Sequence, residues 1–151
     1  MNTVIDQYGQ ILLEAMGQTL LLALYGLLFA CILGLIFGML SVVKNKVCNV
    51  IAYIFVYAIR GVPMIVLAFF IFFGVPYLFN TIFEGLFAEK ITLTALQAGT
   101  ACLALNCGAY MSEIIRAGIQ SVDRGQMEAA RSLGMTYWRS MFKVVLPQAI
   151  R

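Results

Sequence analysis

The polar side chains that could handle a solute are few, and apolar sequence surrounds them. Gln97, Asn106, Glu113 and Arg116 interrupt the stretch that begins at Ile91. Polar groups in such a setting face a bundle interior or a wet cavity, so Gln97, Asn106 and Glu113 are candidate pathway residues. Asn106 and Glu113 lie seven apart and share a helix face, which could meet a zwitterionic or cationic solute. An interhelical hydrogen bond for Asn106 and a Glu113–Arg116 pair three residues apart are the plainer alternatives. Covalent chemistry has little to work with. The chain has no histidine, the commonest general base and metal ligand. Cys31, Cys48, Cys102 and Cys107 match no zinc spacing and read as small apolar packing residues. No catalytic residue, metal site or bound cofactor is expected. The chain also lacks a Gly-x-x-x-x-Gly-Lys-Ser/Thr loop, so it does not bind ATP in that way.

The elements that position these residues are membrane spans. Of 151 residues, 62% are apolar and 11% charged, where a soluble domain carries about a quarter charged. Three runs have no charge: Ala15–Val43 (29 residues), Gly61–Phe83 (23) and Ile91–Ser112 (22). Each is long enough to cross the hydrocarbon core, which takes about 20 residues. The fold class is therefore all-α integral membrane, with spans over about 17–43, 64–80 and 92–115. The first run has no basic residue before it and is too long for a cleavable signal.

Charge sets the expected topology. Lys44 and Lys46 follow the first span; Arg116, Arg124, Arg131, Arg139, Lys143 and Arg151 follow the third. Loops rich in Lys and Arg stay cytoplasmic, so the N-terminus and the Asn80–Lys90 loop, with Glu84 and Glu89, go outside. A straight helix over 47–79 would be about 50 Å long, too long for one span. Arg60-Gly61-Val62-Pro63 is a natural helix break. Residues 47–59 then form an interfacial helix and Arg60 sits at the cytoplasmic surface. A kinked, tilted helix with Arg60 snorkelling is the competing arrangement.

Two ribbons of small residues run along the spans. Gly26, Ala30, Gly34 and Gly38 recur every four residues in the first, and Thr100, Ala104, Gly108 and Ser112 in the third. Such ribbons let helix backbones approach closely in lipid. They serve either fixed packing or a helix that slides against its neighbour.

After Glu113 the composition changes, with nine of 39 residues charged. Asp123 is placed to cap a helix, with Gln126 as its reciprocal partner, and Gly134 to stop it. The helix spans about 124–133. Glu128 lies near its positive end, and Ala129 and Ala130 leave the backbone approachable. Thr136 can cap a second helix through Trp138 and Phe142, and Pro147 stands where a further membrane helix would begin.

The spacing Glu128-Ala129-Ala130, Gly134, Val144 and Leu146-Pro147 resembles the Glu-Ala-Ala loop of the membrane subunits of bacterial binding-protein-dependent ABC importers. Arg60-Gly61-Val62-Pro63, Phe72-Phe73-Gly74-Val75-Pro76 and Ala109-Tyr110-Met111-Ser112-Glu113-Ile114-Ile115-Arg116 resemble the polar amino-acid branch, which takes histidine, glutamine, glutamate, arginine or opines. Val62, Ala117, Asp123 and Val144 depart from the residues common there. The resemblance implies a permease subunit, not itself an enzyme, in the bacterial inner membrane, with ATP bound and hydrolysed by partner ABC subunits. It implies a second permease chain, identical or different, an extracytoplasmic binding protein and a polar amino-acid solute; no nucleic-acid partner is expected. The coupling loop would be 116–147 within a single transmembrane domain, 1–151. Gln126, Glu128, Ala129, Ala130, Leu133 and Gly134 would dock the ATPase. The family fold has five spans, so the chain reads as its first two-thirds, expected not to transport alone. The rival reading is a secondary transporter or channel subunit that needs no ATPase.

Overall fold

Helix α1 (Asn2–Leu40) and helix α5 (Ala95–Ser121) form the principal packed pair, and the other elements are arranged around it. The computed structural model describes residues 2–43, 45–83 and 90–150. The remaining helices are α2 (Lys46–Arg60), α3 (Met64–Phe69), α4 (Val75–Ile82), α6 (Arg124–Ser132), α7 (Tyr137–Ser140) and α8 (Leu146–Ala149). Lys44, Glu84, Glu89 and Arg151, used above for topology, lie outside the described residues.

Two stretches are helical, long and apolar enough to cross a membrane, Tyr8–Leu40 and Met64–Ile82. The third expected span, α5, is not among them. Its 27 residues reach about 40 Å, but small and polar residues, Gln97, Asn106 and Glu113 among them, dilute its apolar character. The expected boundaries also move. Helix α1 begins at Asn2 rather than near 17 and stops at Leu40 rather than 43. Helix α5 begins at Ala95 and runs on to Ser121, beyond the expected 115.

The helix does break where Gly61 and Pro63 stand. Helix α2 ends at Arg60, the Gly61 N–H donates to the Tyr57 carbonyl at 2.9 Å, and α3 begins at Met64 after an extended Pro63. Asn45 starts α2 by accepting the Val47 N–H at 2.9 Å. Phe37 stacks on Phe55 with centroids 3.8 Å apart, tying α2 to α1.

Two other prolines stay inside helix. A proline removes one i→i−4 donor and crowds the carbonyl four residues back. Here a π-turn precedes each: Phe70–Gly74 before Pro76, and Met141–Val145 before Pro147. The wider turn moves that carbonyl aside, and the donors shift to i−5, from Val75 to Phe70 and from Leu146 to Met141. Residues 137–149 are consequently one continuous helical run, and Pro147 lies within it rather than at the start of a new helix.

Two apolar clusters hold α5. Leu67 and Ile71 of the α3 region close on Ala98 and Cys102. Met141 and Val145 close on Ile119 at the other end. Elsewhere on α1 the apolar side chains from Ile11 to Leu28 are largely exposed, as a lipid- or partner-facing surface requires.

Candidate functional site

The candidate site is the α5–α6 corner and the helix after it. Asp123 Oδ1 accepts the Gly125 N–H at 2.6 Å and starts α6. The reciprocal half of the expected cap is absent: Gln126 gives its backbone N–H to the Asp123 carbonyl at 3.1 Å, and its side-chain Oε1 accepts from Gln148 Nε2 at 3.4 Å. At the other end Leu133 is the C-cap, one residue beyond the helix, and its N–H donates to the Ala129 carbonyl. Gly134 follows with φ +81°, the left-handed conformation that glycine adopts without a Cβ clash. Its N–H reaches the Arg131 carbonyl at 3.0 Å, and the Met135 N–H reaches Ala130 at 3.2 Å.

The two alanines of this helix differ in exposure. Ala130 is 5% exposed and packs inward, whereas Ala129, Gln126, Glu128 and Leu133 are exposed, Leu133 at 84%. Gln126, Ala129 and Leu133 recur at three- and four-residue spacing and form one outward stripe. The Ala-Ala pair therefore has one residue exposed and one packed against the body of the protein. Trp138 and Phe142 continue the exposed apolar surface on the following helix. Tyr137 packs beneath, its hydroxyl 3.5 Å from the Val42 carbonyl, and burial pushes its phenol above the usual range.

The small-residue ribbons meet across α1 and α5. Among the described residues of α1 the buried positions are Gly26, Ala30, Gly34 and Gly38, and Ala104, Gly108 and Ser112 are buried on α5. The ribbons interlock with larger neighbours as well as with each other. Gly34 faces Met111, Gly38 faces Ile115, and Gly26 faces Leu103, while Gly108 lies against Ala30 and Leu33. Thr100, half-buried, lines an open groove of about 590 Å³ with Tyr25, Phe29, Ala104 and Gln97.

The three candidate pathway residues separate. Gln97 is exposed and closes the N-terminus of α5: its Oε1 accepts the Thr94 N–H at 3.0 Å, and the Thr94 hydroxyl accepts the Gln97 N–H at 3.3 Å. This is the reciprocal cap that the sequence suggested for Asp123 and Gln126. Asn106 is half-buried and its amide makes no hydrogen bond among the described residues. Glu113 is held by Arg116 through two bonds of 3.2 and 2.8 Å, and Arg116 also reaches Gln120 at 3.1 Å. Nearby, Arg60 lies over the Tyr110 ring, 4.6 Å from its centroid. This contact joins the end of α2 to α5, and nothing in the spacing of the two residues announces it.

Ala117 is exposed, and the close approach falls on Gly118, where a Cβ would stand 3.0 Å from the Ala149 carbonyl oxygen. Among the described residues no group of His, Cys, Asp or Glu could hold a metal ion, and all four cysteines are free.

The chain resembles known transport proteins in sequence and structure. It is 39% identical over 117 residues to the nopaline transport system permease protein NocM of Agrobacterium fabrum, covering 75% of this chain and 46% of that one. It is 43% identical over 98 residues to the L-cystine transport system permease protein TcyB of Bacillus subtilis, covering 65% and 37%. Across eight curated relatives the match spans between 37% and 49% of the relative's length. A crystal structure of an amino acid ABC transporter with histidines superposes with a TM-score of 0.74 at 33% identity, over 98% of this chain and 64% of that one. Residues 15–151 match the family described as binding-protein-dependent transport system inner membrane component. That match takes in the α1–α5 pair and the α6 corner alike, and the chain belongs to this family.

Proposed function

We propose that the chain acts as a permease subunit of an ABC importer for polar amino acids, coupling ATP hydrolysis in a separate subunit to solute movement. The observation that carries this reading is the two-faced α6. A capped helix of nine residues is anchored inward through Ala130 and offers Gln126, Glu128, Ala129 and Leu133 outward. A short stiff helix with a small residue at its contact can enter a groove on an ATPase and carry its motion back. The anchoring side leads to α5 through Met141 and Val145 on Ile119, so a displacement of α6 reaches the helix that carries Asn106 and Glu113.

In this reading α5 is the third span, α2 lies at the cytoplasmic interface, the N-terminus is outside and α6 is cytoplasmic. Asn106 lines the solute path, with Glu113 at its cytoplasmic end; Gln97 is reassigned to capping. The partners are ABC ATP-binding subunits, a second permease chain and an extracytoplasmic binding protein. The relatives named for nopaline and L-cystine support an amino-acid solute, without selecting one.

Affinity purification of the tagged protein from membranes that contain its ATP-binding subunit tests the docking role. Glu128→Arg and Ala129→Arg should each lower recovery of that subunit about tenfold or more, the effect of truncating an interface hot spot. Recovery unchanged in both variants, with uptake that follows an ion gradient and needs no ATP, sinks the reading.

A further inference from the structure

The helical run over residues 137–149 carries two exposed stripes side by side. Trp138 and Phe142, four apart, are 50% and 59% exposed, and their rings stack with centroids 6.1 Å apart. Arg139 and Lys143, also four apart, are exposed beside them and make no ion pair among the described residues. The sequence from Ala129 to Arg151 contains no acidic residue, so no carboxylate of this segment offsets the two cations. The other side of the run is buried through Ser140, Met141 and Val145.

Packing on that buried side sets the level of the stripes. The ring of Trp138 lies 5.5 Å from that of Tyr137, whose hydroxyl is 3.5 Å from the Val42 carbonyl, at the end of the charge-free run Ala15–Val43. Met141 and Val145 close on Ile119, with Met39 at the edge of the cluster, and α1 and α5 end at Leu40 and Ser121. Trp138 thus stands where a membrane-crossing α1 leaves the hydrocarbon core, the level at which tryptophan gathers. A helix with Trp and Phe on one stripe and Lys and Arg on the next lies in the interface and is held by anionic headgroups. A neutral headgroup would suit the rings and leave both cations without a counter-charge.

We propose that this double stripe binds an anionic phospholipid, its phosphate on Arg139 and Lys143 and the glycerol end of its acyl chains against Trp138 and Phe142. The bound lipid ties the helix after α6 to the membrane surface. The proposal rests on α1 crossing the membrane and needs no ATPase, so a failure of α6 docking would leave it standing.

Trp138 is the only tryptophan in the chain, and its emission reports on the stripe directly. The chain is reconstituted in vesicles of phosphatidylcholine with a minority of phosphatidylglycerol, brominated near the glycerol end first on one lipid and then on the other. Quenching of Trp138 per labelled lipid should favour phosphatidylglycerol about tenfold or more, since each cation near an anionic headgroup contributes about fivefold. Arg139→Gln combined with Lys143→Gln, checked for unchanged helical circular dichroism, should bring that preference close to one while the rings stay quenched by lipid. Quenching of Trp138 by aqueous acrylamide but by neither labelled lipid marks a water-facing surface of the kind a protein partner covers, and overturns the proposal. Equal quenching by the two lipids in the unaltered chain, or a preference that survives in the double variant, overturns it as well.

Discussion

Gly34 of α1 faces Met111 of α5 so closely that a Cβ added to the glycine would stand 2.5 Å from the Met111 Cβ. The obstacle is a Cβ, fixed by the backbone, so rotamer changes cannot relieve it. At Gly26 the nearest atom is Leu103 Cδ2, at 2.6 Å, the far end of a flexible side chain. Gly34→Ala should therefore destabilise the folded protein by about 1–3 kcal/mol, the usual cost of overpacking, and Gly26→Ala by less. Gly9, also in α1, has nothing within 4 Å of its added Cβ. Gly9→Ala should be neutral or stabilising by about 0.5–1 kcal/mol, since only helix propensity changes. Denaturant titration in detergent micelles, read by circular dichroism, ranks the three.

Gln97 tests the separation of capping from transport. Its side chain and that of Thr94 close the N-terminus of α5 reciprocally. Thr94→Ala should cost about 1 kcal/mol of stability, and Gln97→Ala should lower stability without changing which solute is transported. Asn106→Leu should reduce uptake in the assembled transporter while leaving its melting temperature and its ATPase partner in place. Uptake and competition assays on membranes, with thermal melts of the same preparations, check all three variants.

Much of this arrangement was legible in residue types, and what was not has identifiable physical causes. Gly61 and Pro63 announced the break after Arg60, because glycine's freedom and proline's restriction both act on the local backbone directly. Asp123 and Gly134 bounded α6 within a residue, because a side-chain cap and a left-handed glycine are also local signals. Pro76 and Pro147 carry the same local signal, yet each stays inside helix. Whether a proline breaks a helix or is absorbed by a π-turn depends on packing of the surrounding side chains, which local sequence does not encode. Thr94-x-x-Gln97 and Asp123-x-x-Gln126 have the same spacing, but only the first closes into a reciprocal cap. The second loses its glutamine to Gln148, 22 residues away. The inward turn of Ala130 and the stacking of Arg60 on Tyr110 are likewise tertiary facts. The ribbon of Gly26, Ala30, Gly34 and Gly38 was plain from its period, whereas Met111 as the partner of Gly34 was not.

Arg60 and Tyr110 offer a second quantitative test. Both are exposed, and the guanidinium lies 4.6 Å above the ring. A cation–π pair in that setting contributes about 0.5–1 kcal/mol. Tyr110→Phe keeps the ring and should be nearly silent; Tyr110→Ala should lose that amount. A double-mutant cycle with Arg60→Gln should return a coupling of the same size, and additive single effects would remove the pair from the description.

Gly134 separates helix termination from docking. Its φ of +81° strains any side chain with a Cβ, although the added atom would meet nothing within 4 Å. Gly134→Ala should cost about 1–2 kcal/mol through backbone strain. Gly134→Asn should cost less, because asparagine tolerates the left-handed region. Thermal melts of both variants check this order, and an equal loss in the two would point to a cause other than φ.

The most direct measurement of α6 as the coupling element is cysteine crosslinking to the ATP-binding subunit in native membranes. Single cysteines are placed at Ala129, Ala130 and Leu133 after the four native cysteines are replaced. The expected result is efficient crosslinking from Ala129→Cys and Leu133→Cys and little from Ala130→Cys, which packs inward at 5% exposure. Crosslinking from Ala130→Cys equal to that from its neighbour, or none to the ATP-binding subunit from any of the three, would contradict it.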